Sequence, residues 1–87
     1  MKLKTKVPSK LIGGGNILVS TVALDETAYK FGGSYPLGKF ETMIMYKENF
    51  LDYQERYDYE EDARIGHQKA ILMAMQGEFD EEIKCLK

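Results

Sequence analysis

One histidine, His67, follows two arginines, Arg56 and Arg64, inside the stretch "YQERYDYEEDARIGHQKA" that runs from Tyr53 to Ala70. A guanidinium fork binds phosphate oxygens in pairs and an imidazole can add a further contact, so the three form a candidate anion site. Tyr57 stands next to Arg56 and could stack on a base. Gly32 and Gly33, in "KFGGSYPLG", could wrap a phosphate with backbone amides, although their spacing fits neither nucleotide-binding glycine fingerprint. Each of these residues also has a plainer use. Arg56 could pair across strands with Glu41, Arg64 lies one helical turn after Glu60, and His67 could be a core histidine bonded to a tyrosine or carboxylate. Catalysis would require a nucleophile or a second acid–base group near His67. Cys85 falls in a terminal segment, and Ser20 and Thr21 fall in a strand of open position. No Cys/His set has metal-ligand spacing. The expectation is therefore a protein that is not an enzyme and uses no metal or cofactor.

Charge supplies the second candidate. Residues 48–62 carry seven acids and one arginine. Glu48, Asp52, Glu55, Asp58, Glu60 and Glu61 could together imitate nucleic acid and fill the basic groove of a partner protein; the bland alternative is a solvated hairpin tip and helix start. Residues 1–47 sum to +4 and residues 48–87 to −6, so head-to-tail contact between copies is conceivable. A net charge of −2 is wrong for a dedicated duplex-DNA binder, which would carry a basic stripe.

Both candidates depend on the elements that hold them. Eighty-seven residues make one domain, and 44% hydrophobic with 30% charged residues is a globular composition. The chain divides into a basic arm with a glycine turn (1–15), an antiparallel sheet (16–57) and a helical part (58–87). "NILVSTVAL" reads as a buried strand and "AYKF" as a short second one. In "FETMIMYK", Phe40, Thr42, Ile44 and Tyr46 share a face; in "FLDYQERY", Leu51, Tyr53, Glu55 and Tyr57 do. A two-residue turn at Glu48-Asn49, with positive φ at Asn49, would set Phe40 opposite Tyr57, Glu41 opposite Arg56 and Ile44 opposite Tyr53. Asp58 to Glu61 fits a capping box. Beyond it Ala63, Gly66, His67, Ala70, Met73 and Ala74 fall on one shallow helix face. Ile65 and Leu72 point the other way and, with Phe79 and Ile83 from a short terminal helix, are the expected contacts of a homo-oligomer. The predicted fold is α+β: a meander of three to four antiparallel strands packed by one main C-terminal helix plus a short terminal helix. No apolar run reaches the ~18 residues of a membrane span, the basic N-terminus lacks a signal peptide's apolar core, and the lone cysteine cannot form an internal disulfide. A cytoplasmic protein that does not engage a membrane is expected.

The order of short motifs, "VSTV" at Val19 to Val22, "FGG" at Phe31 to Gly33, "FETM" at Phe40 to Met43, "YQERY" at Tyr53 to Tyr57 and "EEDARIGH" at Glu60 to His67, resembles a widespread group of small phage and prophage accessory proteins. The match covers about residues 17–70. Asp62 stands as an insertion in the helix-start motif, and the first residues and the tail after Met75 lie outside it. What the resemblance implies is a phage origin, an infected bacterial host as the setting, and an accessory role without a defined reaction. Such proteins commonly act by occupancy. The first expectation, by analogy at the level of the fold, is a phage protein that blunts a bacterial defence by sequestering a nucleotide-derived signal. The alternative is an anti-CRISPR-like inhibitor that presents the acidic hairpin to a host defence protein.

Overall fold

Period-two alternation runs through four segments of the chain, and each is a strand in the computed structural model, which describes residues 1–11, 14–24 and 39–86. The strands are β1 (Lys2–Pro8), β2 (Asn16–Ala23), β3 (Phe40–Tyr46) and β4 (Asn49–Tyr57), followed by helices α1 (Glu60–Met75) and α2 (Asp80–Cys85). They form one antiparallel sheet in the order β1-β2-β3-β4, an α+β meander with the main helix on one face. The expected basic arm is therefore corrected for residues 2–8. "KLKTKVP" alternates lysine with Leu3, Thr5 and Val7, the signature of a half-buried strand, and it pairs with β2 from Lys2↔Val22 to Pro8↔Asn16. The short strand expected at "AYKF", and Gly32 and Gly33, lie outside the described residues.

The β3–β4 hairpin has the expected partners at its open end, with Phe40 opposite Tyr57 and Glu41 opposite Arg56. Its turn is one residue earlier than predicted. Lys47, not Asn49, takes the positive φ, at 53°, and Tyr46 pairs with Asn49. The two registers are reconciled by an irregularity: between Met43↔Gln54 and Met45↔Phe50, Ile44 alone faces the three residues Leu51 to Tyr53. Ile44 consequently has no simple pairing with Tyr53. The extra residues on β4 are the ones that meet α2. Leu51 is buried, the Tyr53 ring meets Phe79 edge-on at 5.6 Å, and the Asp52 backbone amide donates to the Glu82 carboxylate.

Helix α1 buries Ala63, Gly66, His67, Ala70 and Ala74, positions spaced to share one face, as the sequence predicts. The capping box does not form. The N-cap position is Tyr59 with no side-chain hydrogen bond, so Asp58 stands one residue too early to reach the first amides. Glu60, Glu61 and Asp62 still place negative charge at the positive end of the helix dipole. At the other end Gly77, at φ 81°, closes a Schellman motif: its amide donates to the Ala74 carbonyl and that of Glu78 to the Met73 carbonyl. That reversal returns Phe79 and Ile83 to the core of Val7, Ile17, Val19, Ile44, Tyr46 and Leu51. Each fully buried aliphatic there contributes about 1.5–3 kcal/mol.

Candidate functional site

The inner face of the sheet carries threonines among its aliphatics: Thr5 on β1, Thr21 on β2 and Thr42 on β3. His67 enters from α1 and is 3% exposed. Its Nε2 lies 2.9 Å from Thr5 Oγ1 and its Nδ1 2.8 Å from Thr21 Oγ1, and Thr21 Oγ1 lies 2.6 Å from Thr42 Oγ1. The chain of bonds can run in either direction, because each hydroxyl both donates and accepts and a neutral imidazole offers one of each. Burial lowers the His67 pKa and so favours the neutral ring. The partners are threonines, not the tyrosine or carboxylate that the residue types suggest. Tyr57 borders the cluster. Its hydroxyl is buried against Gly66 without a hydrogen-bond partner among the described residues, and burial raises its pKa. A Cβ at position 66 would stand 2.0 Å from the Tyr57 hydroxyl, so the helix reaches its depth because Gly66 has no side chain.

The outer face holds a second polar group. Glu41 is only 8% exposed, and its Oε2 accepts from Arg56 Nε at 2.9 Å and from the Gln54 side-chain amide. The cross-strand pair predicted for Arg56 is thus formed. Arg64 is exposed on the solvent side of α1, 3.3 Å from Glu60 in a one-turn pair. Arg56, Arg64 and His67 therefore occupy the outer sheet face, the solvent face of the helix and the helix–sheet seam. They do not converge within one chain, and His67 presents no free ring nitrogen. The expected site would therefore need residues of a second copy. An intrachain pocket fails because adjacent strand residues face opposite ways, which turns Arg56 away from Tyr57.

The acidic candidates also divide. Glu48, Asp52, Asp58 and Glu61 are exposed and, among the described residues, form no ion pair. Glu60 is paired with Arg64. Glu55 faces inward: it accepts from the Tyr53 hydroxyl at 2.8 Å and lies 3.9 Å from Lys69 Nζ. Burial, then that carboxylate, raises the Tyr53 pKa. Of the expected oligomer contacts, Ile65 and Leu72 are exposed at 68% and 55%. Phe79 and Ile83 are corrected: at 6% and 0% exposure they belong to the chain's own core.

Sequence reasoning did not join Thr5, Thr21 and Thr42 to His67, nor single out the lysines of β1. The signal was present in both cases: threonines at inner-face positions of strands that face a lone helical histidine, and Lys2, Lys4 and Lys6 at alternate positions. Among the described residues no His, Cys, Asp and Glu cluster could hold a metal ion, and no helix is long and apolar enough to cross a membrane. Comparison with protein-family models, curated proteins and solved structures finds no significant match.

Proposed function

We propose that the chain is a non-catalytic binding protein that acts by occupying a basic surface of a partner protein. The carrying observation is the set of Glu48, Asp52, Asp58 and Glu61, exposed and without an ion pair among the described residues, running from the hairpin turn along β4 to the α1 start, where Asp62 extends it. Charge of one sign on an exposed surface steers and selects a partner of the other sign. Occupancy in place of turnover is supported by His67, whose two ring nitrogens are both spent on threonines inside the seam. With the phage setting that the sequence resemblance implies, the partner would be a nucleic-acid-binding component of a bacterial defence, and the acids would stand where phosphates otherwise bind. Association of copies would run through Ile65 and Leu72. Sequestration of a nucleotide signal has less support, because Arg56, Arg64 and His67 would need residues of a second copy to complete a pocket.

The test is plaque formation on defence-bearing hosts that express the protein. Wild-type protein restores plating of a restricted phage. A Glu48→Lys, Asp52→Lys, Asp58→Lys variant loses that protection while its melting temperature stays close to wild type, since exposed substitutions away from caps typically shift stability by no more than ~0.5 kcal/mol each. Full protection by the folded triple variant overturns the acidic-surface reading. A large melting shift with nucleotides would support the sequestration reading instead, because a ligand at ~100 times its Kd adds about 2.7 kcal/mol.

A further inference from the structure

The sheet has two edges, and they are finished differently. On β4 the outward amide of Asp52 is taken by the Glu82 carboxylate, and Phe79 of the α2 N-cap packs on Tyr53. On β1 nothing among the described residues pairs with the outer edge. Its polarity follows from the ladder. Ala23 donates to the Met1 carbonyl and Ser9 to the Gly15 carbonyl, and both pairs continue the β1–β2 register. In an antiparallel ladder, hydrogen-bonded residues alternate with residues whose amide and carbonyl point away. Odd-numbered residues of β1 therefore face β2, and Lys2, Lys4, Lys6 and Pro8 present their backbone groups to the outer edge, which no described residue pairs. Three of the four also carry an exposed ammonium group on the outer face, at a spacing of about 6.8 Å. Pro8 has no amide to offer and sets the limit of the usable edge.

We propose that β1 is a docking edge for an extended acidic segment of another protein, added as a fifth strand with acids at alternate positions. Hydrogen-bonded cross-strand neighbours lie on the same face, so every second residue of the incoming strand would stand beside Lys2, Lys4 or Lys6. A second copy does not fit. Pairing β1 with itself sets lysine against lysine, the device by which edge strands avoid self-association. Pairing β1 with β4 of another copy offers Asp52, Gln54 and Arg56 on the matching face, only one of them acidic, and Asp52 has already given up its outward amide. At the Pro8 end a groove of ≈ 240 Å³ opens between β1 and the end of α1; Val7, Pro8, Ala74 and Met75 form its apolar part, which would take an apolar side chain from the incoming strand, and Lys10 and Asp80 stand among its other lining residues. A single-stranded nucleic acid fits less well. It cannot continue the ladder of paired amides and carbonyls, and among the described residues the exposed aromatic of this face, Phe50, lies on β4 at the far side of the sheet.

The experiment uses the full chain and three labelled probes: an alternating Glu/Val octapeptide, a peptide of the same composition with its glutamates contiguous, and oligo(dT). Binding is followed by fluorescence anisotropy and backbone amide exchange by NMR. The alternating peptide should bind about tenfold more tightly than the contiguous one, and should protect the Lys4 and Lys6 amides from exchange. Lys4→Gln should weaken it modestly, while Lys4→Pro, which deletes an outward amide, should weaken it further. Should Lys4→Pro fail to fold, amide protection in the wild-type protein decides alone. Equal binding of the two peptides, tighter binding of oligo(dT), or unprotected Lys4 and Lys6 amides in the peptide complex would overturn the proposal.

Discussion

Glu41 and Thr42 are neighbours in sequence and anchor two polar clusters on opposite faces of the same strand. Thr42 belongs to the neutral chain Thr5–His67–Thr21–Thr42, sealed between α1 and the sheet. Glu41 belongs to a charged group with Arg56 and Gln54, whose Arg56 side chain keeps 41% of its surface exposed. The difference is one of desolvation. A neutral chain can be sealed when each member meets the next member's hydrogen-bonding need, whereas sealing two charges costs several kcal/mol per ion. Polar residues at inner positions therefore act as scaffold, and those at outer positions keep enough water to meet a partner.

The most damaging way to break the sealed cluster is to push the helix off it. Gly66→Ala places a methyl within 2.0 Å of the Tyr57 hydroxyl. Although alanine is the better helix former by about 1 kcal/mol, overpacking at this depth should leave a net loss of about 2–3 kcal/mol in urea denaturation. No loss would mean that the Tyr57 ring swings out at little cost. Thr21→Val comes next. It removes the hydroxyl that serves both His67 Nδ1 and Thr42, and should cost about 2 kcal/mol by the same measurement.

Acid should find the same cluster. The folded His67 pKa is lowered, so between its ordinary value of about 6.5 and the lower folded value the unfolded chain binds the proton and the folded chain does not. This contribution to stability is complete above about pH 6.5 and is lost as pH falls through that window, with a slope of at most about 1.4 kcal/mol per pH unit for one proton. A His67→Gln variant should lose that slope in melting curves from pH 5 to 8, whatever its overall stability. The smallest effect belongs to the open cluster. Arg56→Ala leaves Glu41 with Gln54 and uncovers it to water where the half-exposed Arg56 side chain lay, and should cost about 1 kcal/mol or less, decreasing further in high salt. A loss as large as that of Thr21→Val would show that the outer cluster is sealed as well.

Alternation and helical spacing are local properties, which is why much of the fold was legible in the chain. The open end of the β3–β4 hairpin and the buried face of α1 both follow from such local patterns. Strand β1 carried an equally local signal in "KLKTKVP", but three lysines in seven residues read as a basic arm until β2 supplied the partner. The hairpin turn was misplaced for a different reason. Three residues of β4 oppose Ile44, an irregularity that shifts the register between the open end and the turn and places Leu51 to Tyr53 against α2 and its N-cap.

The candidate sites show the same division. The sequence by itself determined which residues could share a face: Ala63, Gly66, His67, Ala70 and Ala74 on the helix, and Arg56 on the side of β4 opposite Tyr57. It also determined that acids gather after residue 48 and lysines before residue 11. Only the tertiary structure decided what those faces meet. His67 found Thr5, 62 residues away, and Thr21, 46 residues away; Phe79 and Ile83 joined the chain's own core. The physical reason is range. Periodicity sets the direction of a side chain relative to its own backbone, but burial and hydrogen bonding depend on which distant strand is packed against it.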